Sequence, residues 1–222
     1  MLAAYNITKR YPNGTEALRG VSLTLAHGVT AGLMGESGCG KSTLARIMCR
    51  LETPSSGRVT IDGSSTGRLF RRRVQIVFQD TTGALDPKAT IEQILSEPLG
   101  NFFRFSRTEM VQHISELLYD VGLDEAMKKK YPHQISGGQR QRVAIARALA
   151  AEPEYLLCDE VISGIDAEMR GQILALLREL CGNRGVGCLF ITHDPSLADK
   201  MCDTIFRMNE GKINDTVGLF YA

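Results

Sequence analysis

The chain has 222 residues, enough for one large α/β domain or for one domain carrying an inserted lobe. Hydrophobic residues make up 43% and charged residues 23%, a globular balance that excludes global disorder. Basic and acidic residues number 26 and 25, so a net charge of +1 excludes a general polyanion binder. No apolar run approaches the ~18 residues a membrane span needs. The opening MLAAYNITKRYPNG lacks the basic-then-apolar order of a signal peptide. The chain is therefore expected in the cytoplasm, with any membrane anchor supplied by a partner. Its six cysteines contain no C-x-x-C pair and read as reduced thiols and small core residues.

Short apolar runs alternate with helical patterns. Val29–Met34 is a buried strand ending at Gly35, and Lys41–Leu51 follows with Leu44, Ala45, Ile47, Met48 and Leu51 at helical spacing. Val59–Asp62 and Val74–Gln79 are further strands. From about Leu85 to Ala151 the reading is helical: Ile91–Leu99, Thr108–Val121, Glu125–Tyr131 and Gly138–Ala151. Ser106 and Glu109 have the spacing of a capping box. Tyr155–Cys158 and Cys188–Thr192 are apolar on both faces, as central parallel strands are. Between them Ala167–Leu180 carries a stripe of Ile173, Leu174, Leu176, Leu177 and Leu180. Strand, helix, strand in that order implies a right-handed crossover in a mostly parallel sheet. Thr204–Val217 reads as an antiparallel edge pair turning at Asn209-Glu210-Gly211.

Three motifs carry chemistry. Gly35-Glu36-Ser37-Gly38-Cys39-Gly40-Lys41-Ser42-Thr43 fits G-x-x-x-x-G-K-[ST] between a strand and a helix. Its glycines let several N–H groups converge on one anion at a helix N-terminus. Lys41 reaches the outer phosphates, Ser42 is a Mg²⁺ ligand, and Thr43 bonds an inner phosphate. Tyr155-Leu156-Leu157-Cys158-Asp159-Glu160 is a buried strand ending in two carboxylates. Asp159 is placed to hold the metal and Glu160 to polarise a water aimed at the γ-phosphate. Ile135-Ser136-Gly137-Gly138-Gln139 opens a helix, with Ser136 as N-cap and two glycines read as exposed. One chain then carries two phosphate-binding helix starts, and a head-to-tail pair of subunits uses both.

The last motif resembles the LSGGQ signature of ABC-type ATPases, with Ile135 for the first Leu. Other residues resemble further family positions in the family's order: Tyr11 the aromatic that stacks on adenine, Gln79 the Q-loop glutamine that touches Mg²⁺, Ser163-Gly164-Ile165-Asp166 the D-loop, and His193 the switch histidine that contacts the γ-phosphate. The resemblance covers about Ala3 to Val217. Val161-Ile162-Ser163-Gly164-Ile165-Asp166 departs from the usual Pro-Thr-Ser-Ala-Leu-Asp, keeping the aspartate. The resemblance implies a P-loop NTPase fold, a mostly parallel sheet with an antiparallel β edge and an inserted helical lobe. The whole of 1–222 is then one domain, with the core at about 1–84 and 152–222 and the lobe at about 85–151.

By resemblance the catalytic residues are Glu160, His193 and Gln79. The metal ligands are Ser42, Gln79 and Asp159. The nucleotide contacts are Tyr11, Gly35, Glu36, Ser37, Gly38, Cys39, Gly40, Lys41, Ser42, Thr43, Ser136, Gly137, Gly138, Gln139 and Asp166. ATP and Mg²⁺ are the implied cofactors. The implied partners are a second ATPase subunit, the same or different, membrane-spanning permeases, and an extracytoplasmic solute-binding protein, with no nucleic acid. That arrangement puts the chain peripherally on the cytoplasmic face of the inner or plasma membrane. Ala84-Leu85-Asp86-Pro87, IEQILSEPL and Tyr131-Pro132-His133-Gln134 look like the bacterial peptide/nickel importer group. The alternatives are a soluble ABC-type ATPase of translation or DNA repair, and an ATP-binding regulatory module that does not hydrolyse.

Overall fold

The computed structural model describes residues 1–64 and 69–218, without the side chains of Thr81, Thr82 and Ala167. Residues 65–68 and 219–222 of the expected core lie outside the described residues. In chain order the elements are strands β1 (Leu2–Arg10), β2 (Glu16–Leu25) and β3 (Thr30–Met34), helix α1 (Lys41–Met48) and β4 (Ser56–Ile61). Next come the one-turn α2 (Phe70–Arg73), β5 (Val74–Val77) and the one-turn α3 (Thr81–Ala84). Helices α4 (Ile91–Phe102) and α5 (Arg107–Asp120) precede two 3-10 turns, Glu125–Lys129 and Pro132–Gln134, and then α6 (Gly137–Leu149). The chain ends with β6 (Tyr155–Asp159), α7 (Ala167–Arg184), β7 (Gly187–Thr192), α8 (Pro195–Met201), β8 (Thr204–Asn209) and β9 (Lys212–Gly218). Two compact units divide these elements. The first is Met1–Ile76, Glu154–Glu160 and Cys181–Ala222; the second is Val77–Pro153 and Val161–Leu180.

The first unit is built on two sheets. The larger has the order β5-β6-β7-β3-β8-β9. Strands β6, β7, β3 and β8 run parallel, and β9 closes the edge antiparallel to β8. Every residue of β6 and β7 is buried, as strands covered on both faces must be. β9 is mostly exposed and polar, which blunts the free edge. Helix α1 buries Leu44, Ala45, Ile47 and Met48, about 1.5–3 kcal/mol for each large side chain. The sheet register fixes the site: Met34 pairs with Thr192 and Asp159 with Ile191. Parallel strands therefore deliver Gly35, Glu160 and His193 from one C-terminal edge, where ligands of open α/β sheets bind.

The smaller sheet, β2-β1-β4, is antiparallel. It corrects the sequence reading, which has no strand before Val29 and does not separate Val59–Asp62 from the main sheet. The alternation in β1 breaks at Asn6, which has φ 49 and sits at a register shift. Leu2, Ala3 and Ala4 are all buried in succession, so no period of two survives in the sequence.

The second unit is helical. Ser106 and Glu109 form the expected capping box on α5, with Ser106 N–H donating to Glu109 Oε2 at 2.7 Å. Thr90 and Gln93 cap α4 in the same way. The helix expected over Glu125–Tyr131 is instead the 3-10 turn Glu125–Lys129, none of whose residues is buried. Without an apolar stripe to pack, a short helix gains too little to propagate.

Candidate active site

The loop between β3 and α1 is shaped by its own surroundings. Gly40, the N-cap of α1, has φ 110, a backbone that glycine alone adopts without strain. At Gly35 a Cβ would lie 2.2 Å from the Met208 carbonyl oxygen, so even one methyl is barred. No side chain caps α1. Its first-turn N–H groups thus suit an anion in place of a cap. Glu36, Ser37 and Gly38 are exposed along the loop, while Cys39 is buried.

Lys41 is only 5% exposed. Its ammonium donates to the carbonyls of Gly35 and Glu36, both at 2.8 Å, and lies 3.8 Å from Cys39 Sγ. It braces the loop from inside as well as supplying charge. Thr43 Oγ1 and Tyr11 Oη are 3.3 Å apart, and Lys9 Nζ stands 5.2 Å from the centre of the Tyr11 ring. The aromatic expected near adenine therefore stands against the cradle helix.

Ser42 Oγ donates to Asp159 Oδ1 at 3.0 Å. Asp159 is 4% exposed, and burial raises its pKa, while Ser42's hydrogen bond pulls it down. A hydroxyl and a desolvated carboxylate side by side fit Mg²⁺, a hard cation that takes oxygen ligands. Glu160 follows in a left-handed conformation, φ 49. For a residue with a Cβ that costs about 1–2 kcal/mol, and the Glu160 N–H bond to the Ile191 carbonyl, 3.2 Å, holds it there. Strain of this kind clusters at functional sites. Glu160 Oε1 lies 3.4 Å from His193 Nδ1, with the His193 side chain 64% exposed and the Glu160 side chain 19%.

Asp194 is a residue the sequence reading missed. Its carboxylate accepts from Ser196 N–H at 2.9 Å and Ser196 Oγ–H at 2.8 Å, and its own N–H donates to Thr192 Oγ1 at 3.1 Å. The backbone on either side of His193 is thereby fixed. An aspartate directly before Pro195 was the available signal, since that pair is an N-cap followed by N1.

Tyr11, Lys41, Ser42, Thr43, Asp159, Glu160 and His193 belong to the first unit, and Gln79, Ser136 to Gln139 and Asp166 to the second. β5 stops at Val77, so Gln79 stands two residues beyond it and not at the strand end expected. Ser136 caps α6 as expected, accepting from Gln139 N–H at 3.2 Å. The reciprocal bond, Ser136 N–H to Gln139 Oε1 at 3.0 Å, makes a full capping box. Gly137 is exposed, but Gly138 is buried, which corrects the expectation of two exposed glycines. Asp166 Oδ1 accepts from Met169 N–H at 2.9 Å and so caps α7. Gly164 has φ 74, so the glycine of the unusual Val161–Ile165 stretch serves a defined turn.

The profile of the ABC transporter family matches residues 18–163. This chain belongs to the ABC transporter family. Nickel import ATP-binding protein NikE of Escherichia coli O157:H7 is 43% identical over 206 residues, covering 90% of this chain and 77% of that protein. NikE of Shigella boydii serotype 4 gives the same identity and coverage. A dimeric ATP-binding cassette in a post-hydrolysis state with ADP and Pi matches with TM-score 0.90 at 33% identity, over 100% of both chains. The cbiO1 component of the cbiONQ ABC transporter complex of Clostridium perfringens matches with TM-score 0.86 at 31% identity, covering 98% of this chain and 88% of that one. The cassette is an ATP-binding, ATP-hydrolysing subunit of an ABC transporter. Among its described residues no helix is long and apolar enough to cross a membrane.

Proposed function

We propose that this cassette powers uptake of nickel, free or chelated, working as one of a pair of ATPase subunits on membrane-spanning permeases. The observation that carries the chemistry is the meeting, at one sheet edge, of Ser42 with Asp159 at 3.0 Å and of Glu160 with His193 at 3.4 Å. The nickel-import relatives at 43% identity support the cargo. Peripheral attachment to the cytoplasmic face of the membrane and an extracytoplasmic solute-binding protein belong to the same reading.

The residues divide the work. The loop from Gly35 to Gly40, with Lys41, holds the β- and γ-phosphates through N–H groups and an ammonium. Thr43 bonds an inner phosphate and Tyr11 lies against the base. Ser42 and Asp159 would hold Mg²⁺, which supplies charge neutralisation on the phosphate oxygens when bound. Glu160 accepts a hydrogen bond from the attacking water and orients it, as a general base does. His193, 3.4 Å from Glu160 and exposed, donates to the γ-phosphate. Ser136, Gly137 and Gly138 of the second protomer close over the γ-phosphate, and Asp166 lies at the pair's contact. Loss of the γ-phosphate link then lets the pair open. Gln79 relays to the transport partner.

The test is Glu160→Gln. The variant keeps ATP binding and elutes as a dimer in Mg-ATP. Its turnover falls by about 100-fold or more, as expected when a group acting in the transition state is lost. Cells carrying it with the permeases accumulate no nickel above background. Turnover near wild type would remove Glu160 from its role.

A further inference from the structure

The two glycines at the start of α6 differ. Around Gly137 the nearest atom to an added Cβ is Arg140 Nη2 at 3.8 Å, ordinary contact distance. At Gly138 an added Cβ would meet Met169 Sδ at 2.2 Å, Cε at 2.5 Å and Cγ at 3.0 Å. The outer half of the Met169 side chain thus lies in the space a β-carbon at 138 would take. Met169 stands in the first turn of α7, and its N–H donates to Asp166 Oδ1 at 2.9 Å. The Arg170 N–H in turn donates to the Asp166 carbonyl at 2.9 Å. One residue therefore touches both ends: its backbone is held by Asp166, and its thioether rests on Gly138.

We propose that Met169 is a positioning residue that ties the Asp166 turn to the start of α6, so that the two segments move as one piece. The inference rests on the reading of Ser136–Gly138 as the edge that closes over the partner's nucleotide. Three features support it. The contact uses the glycine that is buried and leaves the exposed one alone. The start of α6 is otherwise tied down: the Ser136–Gln139 capping box fixes its first turn, and Arg140 Nη1 donates to the Ile135 carbonyl at 2.8 Å. A thioether is also unbranched and polarisable, so it adapts to a shallow glycine notch. The Met169 side chain thus takes up the space beside Gly138, whereas Gly137 is open for an external group. Closing the α6 start on a partner's phosphate and shifting Asp166 then become one event.

The test is steady-state ATPase kinetics on the purified full chain with Mg-ATP, with thermal midpoints measured alongside. Met169→Ala is expected to lower kcat about 3- to 10-fold while KM for ATP stays within about 2-fold, since the cradle is untouched. Met169→Leu restores kcat to within about 2-fold, because it refills the notch with similar volume. Gly138→Ala lowers kcat by about 10-fold or more, and adding Met169→Ala to it recovers at least about 3-fold, the methyl taking the vacated space. Gly137→Ala is also impaired, but Met169→Ala gives it no recovery. An unchanged kcat in Met169→Ala, or a double variant no better than Gly138→Ala, overturns the proposal. If Met169→Ala loses its thermal transition, the Met169→Leu variant and the Gly138 pair decide in the same way. Wild-type turnover in both Gly137→Ala and Gly138→Ala would instead remove the closing edge itself, a separate failure from that of Met169.

Discussion

The starts of α1 and α6 are both glycine-rich approaches to a helix N-terminus, yet they are finished differently. At α1 the N-cap is Gly40, no side chain caps the helix, and Lys41 bonds two loop carbonyls. At α6 the N-cap is Ser136, and Gln139 completes a reciprocal box. A helix whose first-turn donors lack a side-chain cap is left for a ligand to complete. A helix capped by its own serine and glutamine is already a finished surface, ready to be presented to something else. The first arrangement suits capture of a triphosphate; the second suits closing over one held by another subunit.

That contrast predicts separable failures. The largest is Lys41→Ala, which removes the buried ammonium together with its two carbonyl bonds. Charge-assisted hydrogen bonds contribute about 1.5–3 kcal/mol each, so ATP affinity should fall by about 100-fold or more. Equilibrium titration with a fluorescent ATP analogue measures this. An affinity within a few-fold of wild type would mean that α1 is not the capture site, and the contrast would collapse.

The next is Ser136→Asp. Aspartate is as good an N-cap as serine, so α6 keeps its cap and the thermal midpoint should barely move. A carboxylate at that edge nevertheless repels a partner's γ-phosphate. Turnover should drop by about 30-fold, close to 2 kcal/mol, with ATP affinity unchanged. Ser136→Ala has the complementary profile: it loses about 1 kcal/mol of cap energy, with a smaller drop in turnover. If the aspartate variant turns over normally, the Ser136 edge meets no phosphate.

Much of this was legible in the sequence because the chemistry is local there. The phosphate loop lies between a strand and a helix within nine residues, and Asp159-Glu160 ends an apolar run, so pattern and placement agree. What escaped depends on three dimensions. Asn6, with its left-handed backbone, breaks the alternation of β1 and hides that strand. Met169, thirty-one positions later, lies against the buried Gly138, and no spacing rule links them. Ser136 as the N-cap of α6 is legible in the sequence; the structure adds only that Gln139 Oε1 returns the bond to the Ser136 N–H. Lys41's bonds to loop carbonyls were equally out of reach, since the motif says only that the lysine faces phosphate.

The smallest effect marks the boundary of the contrast. Arg73 ends α2 and reaches Asp62 at 2.6 Å and Glu154 through Nη2 at 2.7 Å, with a second bond from Nε to the same carboxylate. The side chains are 30%, 52% and 35% exposed, so solvent screens them and the network contributes little. Glu154 precedes β6 at the end remote from Asp159. Arg73→Ala should therefore lower the thermal midpoint by about 2–4 °C, while ATP affinity and kcat both stay within about 2-fold of wild type. It is the control that separates a loss of general stability from a loss at either helix start. If Arg73→Ala impairs ATP binding as much as Lys41→Ala does, the cradle senses the strain of the whole sheet, and neither helix start can be treated as an independent device.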